Sequence, residues 1–348
     1  LQDNQMVDER RNVLWKNNGD GTFANVAPDL GLDNEGYSTQ TAWLDHDRDG
    51  DLDMFLLNAP SNNIPQKVKY NTDGFPDYVS DKLFRNDGNT FTDISKEAGV
   101  EGISFGLGVL ANDLNHDGLT DIYVANDYER PDYFYINQGD GTFVNELNSR
   151  VKHTCYTAMG VDAGDLNNDA LLDFAVLDMQ SSSHVRSKTN MPTMQPEQFW
   201  KWVNQGYNHQ YMTNVLQVNN GIGYFSDLSQ ITGFASTDWS WSVLLADFDL
   251  DGLKDIHVTN GINRDIRNND FANEFQRRID SGESLNLLDM ASEAPSTLLS
   301  NFTYSNQGEL SFDKVGDDWG LGEPSFSYGA AHGDIDGDGD LDLIVSNN

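Results

Sequence analysis

Short apolar runs alternate along this chain with clusters of aspartate, asparagine and glycine. Runs this short, bounded by turn residues, predict β-strands joined by tight loops. Five of the clusters share one nine-residue spacing, with aspartate at positions 1, 5 and 9, Asp or Asn at position 3, and Gly or Ala at position 6. Positions 1, 3, 5, 7 and 9 are Asp45, Asp47, Asp49, Asp51 and Asp53 in loop 1, and Asp113, Asn115, Asp117, Leu119 and Asp121 in loop 2. They are Asp165, Asn167, Asp169, Leu171 and Asp173 in loop 3, and Asp247, Asp249, Asp251, Leu253 and Asp255 in loop 4. Loop 5 carries Asp334, Asp336, Asp338, Asp340 and Asp342. A small or apolar run precedes each loop, as at Trp43 and Leu44, and a strand-like run follows, as from Met54 to Leu57.

A second unit recurs between the loops. Leu14 to Phe23 is echoed by Leu83 to Phe91 and Tyr135 to Phe143, and more loosely by Val218 to Phe225 and Ser305 to Phe312. Apolar residues on either side of an Asn/Asp/Gly turn predict a hairpin. Joined, the two units give four strands, A to D, with the aspartate loop between A and B. Four-stranded antiparallel units repeated along a chain predict an all-β fold, a β-propeller with short helical insertions. The blade equivalents are a half blade at 13–26, full blades at 37–95, 105–147, 156–228 and 239–315, and a half blade at 328–348. The whole chain is expected to be one propeller region and a piece of a longer protein. The two half blades either complete one another or belong to a larger ring.

Loop starts are 68, 52, 82 and 87 residues apart, so the long intervals hold insertions. Ala59 to Asp81 is rich in Pro and Asn and reads as loop. Met179 to Thr213 holds a helical-looking aromatic stretch from Phe199, Trp200 and Trp202 to Tyr211. Asn263 to Pro295 places Phe271, Phe275 and Ile279 at helical spacing. Each helix is expected to pack an apolar face on the blades. All three insertions fall between strands B and C, opposite the A–B loops, and variable loops on a rigid frame are where recognition usually sits.

Charge sharpens the picture. There are 21 basic against 56 acidic residues, a net charge of −35. That balance argues against nucleic acid and against anionic membrane surfaces. It also asks what neutralises the carboxylates. Calcium takes six to eight hard oxygen ligands, and each loop offers carboxylate or amide oxygens at positions 1, 3, 5 and 9 and a backbone carbonyl at position 7. The position-6 glycine permits the left-handed turn that folds these oxygens inward. The spacing is like that of an EF-hand, but strands flank the loops and the last acid comes at position 9. Up to five calcium ions are expected, which would bring the net charge to about −25. Loop 3, with Ala170 in place of glycine and Asn167 at position 3, is expected to be the weakest. A single cysteine, Cys155, cannot close an internal disulfide.

These loops and hairpins resemble the FG-GAP/VCBS repeats of integrin α-chain propellers and of bacterial relatives of cartilage acidic protein. The stretches Asn126 to Ile136, His209 to Asn214 and Thr237 to Trp241 look like those of large Bacteroidota members. The resemblance implies an extracytoplasmic protein, secreted or associated with the outer-membrane surface, often in a complex, with integrin-like members pointing to seven blades. It implies no catalytic activity.

An aromatic residue stands before each strand A: Tyr37, Phe105, Tyr156, Trp239 with Trp241, and Phe326 with Tyr328. These either ring the mouth of a central channel, suited to stacking on sugars, or wedge between blades as the phenylalanine of the FG motif does in the family. Tyr37, Tyr156, His209, Tyr211, Trp239, Trp241 and Tyr328 are therefore the candidate partner-binding residues, with His153 able to join them. The expected function is recognition of a protein or glycan at the cell surface, with no catalytic residue assigned and no membrane-spanning segment. An alternative is a polysaccharide lyase using His153, Tyr156, His209, Tyr211 or Arg130; another is a calcium-dependent adhesin segment. The ranking of the loops is directly testable: in calcium, replacing Asp249 with Ala should lower the urea midpoint more than replacing Asn167 with Ala, and equal effects would refute it.

Overall fold

Strand B of each four-stranded sheet reads as a continuous apolar run because both of its faces are covered. In β4 (Asp53–Asn58) every residue is buried. Its alternation sends Met54 and Leu56 to one core, with Ala27, Leu32 and Phe84. Phe55 and Leu57 go to another core, with Leu83 of their own sheet and Val109, Ile122, Val124 and Tyr135 of the neighbouring one. A strand packed between two sheets is what stacked blades require.

The structure, a computed structural model, describes residues 10–59, 77–128, 130–190 and 194–348. A hairpin of β1 (Trp15–Asn17) and β2 (Phe23–Asn25) comes first. Sheet 1 is β3 (Ser38–Leu44), β4, β5 (Lys82–Asn86) and β6 (Phe91–Asp93), and sheet 2 is β7 (Phe105–Asn112), β8 (Asp121–Asp127), β9 (Tyr133–Asn137) and β10 (Phe143–Asn145). A short strand, β11 (His153–Cys155), precedes sheet 3, which comprises β12 (Val161–Gly164), β13 (Asp173–Val176), β15 (Val215–Asn219) and β16 (Phe225–Asp227). Between β13 and β15 lies β14 (His209–Tyr211), paired in parallel with β11. Sheet 4 is β17 (Ser240–Ala246), β18 (Asp255–Asn260), β19 (Phe302–Asn306) and β20 (Phe312–Lys314). A last hairpin joins β21 (Ser327–Gly333) to β22 (Asp342–Asn347). The fold is all-β, built of four-stranded antiparallel sheets of the propeller-blade type, each in the order A-B-C-D.

The chain divides into two compact units, Leu1–Arg150 and Val151–Asn348. Within the first, Thr39 Oγ1 donates to the Gly106 carbonyl (2.6 Å) and the Val109 N–H donates to Gln40 (3.0 Å), joining strands A of sheets 1 and 2. Within the second, the Leu245 N–H donates to Asp162 (2.8 Å) and Thr259 Oγ1 to the Tyr328 carbonyl, joining sheet 3 to sheet 4 and sheet 4 to the last hairpin.

One polar staple recurs at the B–C end of the sheets. An asparagine at the end of strand B, Asn58, Asn126 or Asn260, accepts a hydroxyl from a serine at or just before the start of strand A: Ser38, Ser104 or Ser240. Its N–H donates to the residue entering strand C, Asp81, Asp132 or Asn301. Its side-chain amide donates to the carbonyl one residue before that, Ser80, Pro131 or Ser300. In sheet 3 the position is Asp178, which takes Thr157 Oγ1 (2.6 Å) and the N–H groups of Tyr156, Thr157 and Met179. Burial pushes its carboxyl up to about 6 against these bonds.

Two insertions depart from expectation. The aromatic helix spans only Pro196–Val203 and does not reach Tyr211, because residues 209–211 pair with β11 instead. A second helix, His184–Thr189, lies in the same insertion. The helix carrying Phe271, Phe275 and Ile279 runs Asn269–Asp280, and a further one, Leu287–Glu293, follows with an Asn286 capping box. Phe275 and Trp202 are buried, but Trp200 and Ile279 are exposed, so the apolar faces are only partly covered. Of the 59–81 insertion, residues 60–76 lie outside the described residues.

Candidate functional site

Each aspartate loop is folded by its own backbone. In all five, the position-6 N–H donates to the position-1 carboxylate: Gly50 to Asp45, Gly118 to Asp113, Ala170 to Asp165, Gly252 to Asp247 and Gly339 to Asp334, at 2.8–3.2 Å. The position-7 N–H donates to position 5 in every loop. These bonds turn the carboxylates toward a common centre. Position 6 is left-handed, as expected, including Ala170 at φ 67°. Position 4 is left-handed as well, at Arg48, His116, Asn168, Leu250 and Gly337. This second turn was not anticipated, and only loop 5 meets it with glycine.

Position 9 has a separate task. Asp53, Asp121, Asp173 and Asp255 are buried, and each accepts one N–H from loop position 2 and another from the asparagine that ends strand C. Those donors are His46 and Asn86, Leu114 and Asn137, Leu166 and Asn219, and Phe248 and Asn306. The carboxylate thus ties the loop to the third strand of its blade. Burial raises Asp121 to about 7 and Asp173 to about 6, with the other loop carboxylates adding to it, and it also raises Asp255. At Asp53 burial works the same way, but the His46 imidazole and two N–H bonds outweigh it and leave the carboxyl below its ordinary value.

Neighbouring loops are linked within each unit. Asn137 reaches from sheet 2 to the His46 carbonyl (2.9 Å), and Asn306 from sheet 4 to the Leu166 carbonyl (2.8 Å). The position-4 side chain of one loop donates to the position-6 carbonyl of the next, Arg48 to Gly118 and Asn168 to Gly252.

The donor set fits calcium unequally. Carboxylate oxygens converge within 4.8 Å at Asp45, Asp47 and Asp49, at Asp247, Asp249 and Asp251, and at Asp334, Asp336 and Asp342. In loop 1, Oδ1 of Asp45 and Oδ1 of Asp51 are buried with no hydrogen-bond donor, which is where a cation belongs. Loops 2 and 3 quench part of their charge internally, since Asn115 donates to Asp117 (2.9 Å) and Asn167 to Asp169 (3.0 Å). Asp340 in loop 5 is raised above its ordinary range chiefly by Asp338. Hard carboxylate and carbonyl oxygens at this spacing suit calcium.

The candidate partner residues fall into separate groups. Within the second unit, the β11–β14 pairing sets His153 beside His209, with Tyr211 two residues on. Phe199 stacks on Tyr211 (5.4 Å) and lies 5.8 Å from His209, and Trp200 stands at 6.4 Å from His209. His153 contacts Tyr211 (5.4 Å) and its Nε2 is 3.0 Å from Asp227. Trp200 is 55% and Tyr211 41% exposed. The insertion carrying this cluster is clamped by Arg186, whose guanidinium binds Asp238 (2.8 Å) and Asp265 (2.9 Å). Burial disfavours the Arg186 charge, and the two aspartates more than restore it. Asn268 of the sheet 4 insertion donates to Asn190 of the sheet 3 insertion (3.1 Å), so the two form one layer.

The aromatics before strand A behave differently. Trp239 is buried beneath Arg267, and Trp241 donates to the Gly261 carbonyl (2.6 Å) and packs on Tyr328 (5.4 Å). That contact joins sheet 4 to the last hairpin, in keeping with wedges between blades. Tyr37 lies under Arg10 (4.3 Å), Phe105 packs on Tyr128 (4.9 Å), and the Tyr156 N–H is held by Asp178. Arg130 is buried and donates to the Ile103 carbonyl (2.7 Å), a structural contact.

A sequence model described as an FG-GAP-like repeat matches residues 3–56 and 113–176, about a third of the chain. Each match takes in a C–D hairpin and the A–B loop hairpin after it. The chain carries FG-GAP-like repeats. No curated protein sequence matches it. Among solved structures it is similar to an Agrocybe aegerita lectin described as recognising non-reducing terminal N-acetylglucosamine, at 14% identity over 86% of this chain and 72% of that one. The TM-score is 0.33, and a likeness that distant decides nothing about ligand. Among the described residues no helix is long and apolar enough to cross a membrane.

Loop 3 supplies a test of the loop geometry. Glycine at position 170 relieves a left-handed alanine, which costs about 1–2 kcal/mol, partly offset by about 0.4–1 kcal/mol of added chain entropy in the unfolded state. Ala170→Gly should therefore raise stability by about 0.5–1 kcal/mol in urea unfolding. A destabilised variant would contradict the backbone assignment.

Proposed function

We propose that this chain is a non-enzymatic recognition module, stabilised by calcium in its A–B loops, that binds an extracellular or cell-surface glycan through its insertion layer. The observation that carries the reading is the aromatic cluster in which exposed Trp200 and Tyr211 pack on half-buried Phe199, edged by His153 and His209. Aromatic faces bury the apolar face of a sugar ring, and imidazoles beside them supply hydrogen bonds to its hydroxyls. The Arg186 clamp and the Asn268–Asn190 contact hold the insertions in place, so little ordering entropy is lost on binding. An extracytoplasmic setting, where calcium is abundant, suits loops of hard oxygen ligands.

One observation favours an enzyme as the second reading. His153 is oriented by Asp227 and contacts Tyr211, a base and an acid side by side, as glycan cleavage by elimination would need. The net charge of −35 opposes a polyanionic substrate.

The test is a glycan array probed with the full chain in millimolar calcium, followed by calorimetry on each hit. Trp200→Ala and Tyr211→Ala should each weaken binding about tenfold, the loss of an aromatic contact worth about 1.4 kcal/mol. Unchanged affinity in both variants overturns the site. A blank array with a stoichiometric protein partner overturns the glycan, and cleaved product at a hit establishes the second reading.

A further inference from the structure

Loop 1 differs from the other four at position 2. It carries His46 where the others have Leu114, Leu166, Phe248 and Ile335. The ring is only 2% exposed, yet it is not packed as a hydrocarbon. Its Nδ1 bonds to the Asp53 carboxylate, which is itself fixed by the N–H groups of His46 and Asn86. A carboxylate on one ring nitrogen sets the tautomer and turns the lone pair of the other outward, the arrangement that backs metal-ligating histidines.

That other nitrogen, Nε2, has no hydrogen-bond partner among the described residues and stands 4.0 Å from Oδ2 of Asp47. Two ligands each about 2.0–2.1 Å from a tetrahedral zinc ion lie about 3.4 Å apart, so a shift of roughly half an ångström seats both. His46 and Asp47 line a cavity of about 200 Å³ between loops 1 and 2, with Asp117 of loop 2 contributing to its wall. Arg48 also lines it, but its guanidinium is bonded to the Gly118 carbonyl. Imidazole nitrogen is a poor ligand for calcium and a good one for borderline cations, which sets this cavity apart from the oxygen-only loops.

We propose that this cavity is a second kind of cation site, taking a zinc-class divalent ion through Nε2 of His46 and the carboxylate of Asp47, with Asp117 and water completing the shell. Asp53 is a positioning residue there. The other oxygen of Asp47, Oδ1, faces loop 1, where it accepts the Asp49 N–H (3.3 Å), so the two kinds of site are neighbours joined by one carboxylate.

The test titrates the full chain with zinc chloride in millimolar calcium, by calorimetry and by nitrogen NMR of the imidazoles. Calcium fills the oxygen-only loops and removes them from the titration. One saturable zinc site is expected, with the His46 Nε2 resonance moving as it fills. His46→Leu copies the residue of loops 2 and 3 and should keep the calcium-dependent melt while losing more than the ten- to hundredfold that removal of an outer-shell partner costs a metal site. Zinc affinity unchanged in His46→Leu, or no zinc uptake with the His46 resonance fixed, overturns the proposal.

Discussion

The structure turns on the buried carboxylate that ends each aspartate loop. In sheet 1, Asp53 receives the N–H of His46 from its own loop and the N–H of Asn86 from strand C. The same pair of bonds recurs at Asp121, Asp173 and Asp255. One side chain thus fixes the entry to the loop, the start of strand B and the end of strand C. Its cost is charge. Two unit charges 4 Å apart repel by about 1 kcal/mol in water and about 4 kcal/mol near a protein surface, and every loop gathers several. Internal bonds from Asn115 and Asn167 relieve loops 2 and 3, but loops 1, 4 and 5 have aspartate at that position. A divalent cation would be the economical remedy, and the buried oxygens of Asp45 and Asp51 that have no hydrogen-bond donor are placed to hold one.

Much of this was legible in the sequence because the repeat encodes it locally. Nine residues define a loop, about ten define the hairpin, and the apolar run between them defines strand B. The left-handed turn at position 4 was not legible, because Arg48, His116 and Leu250 carry no mark of that conformation. The B–C staple was hidden for another reason. A serine and an asparagine 20–22 residues apart form it with an aspartate or second asparagine that enters strand C, and in a polar chain none of them stands out. The short helical turns after strand D did leave a signal that went unread. Asn25, Asp93, Asn145 and Asp227 each cap the N–H two residues on, and Gly31, Gly99 and Gly233 end three of the turns.

The insertion layer shows where local pattern fails outright. Phe199 to Tyr211 reads as helical, but pairing of residues 209–211 with residues 153–155 wins, and it brings two histidines together from positions 56 residues apart. No spacing rule finds such a pair. The same pairing builds the aromatic cluster, so the candidate partner surface is a product of tertiary structure, whereas the aspartate loops are a product of sequence. The two are mechanically connected within the second unit: Arg186 ties the layer to Asp238, just before strand A of sheet 4, and that strand leads directly into loop 4. A slackened loop 4 would be felt at the candidate partner surface.

The central claim is that cations hold the loops and the loops hold the blades. Scanning calorimetry of the chain after chelation, with metal removal confirmed by elemental analysis, against the same chain in millimolar calcium, tests it most directly. A site filled at a hundredfold excess over its Kd contributes about 2.7 kcal/mol, so the melting temperature should fall by at least about 5 °C on chelation and return when calcium is restored. Superimposable melts of the metal-free and calcium-loaded chain would contradict the account.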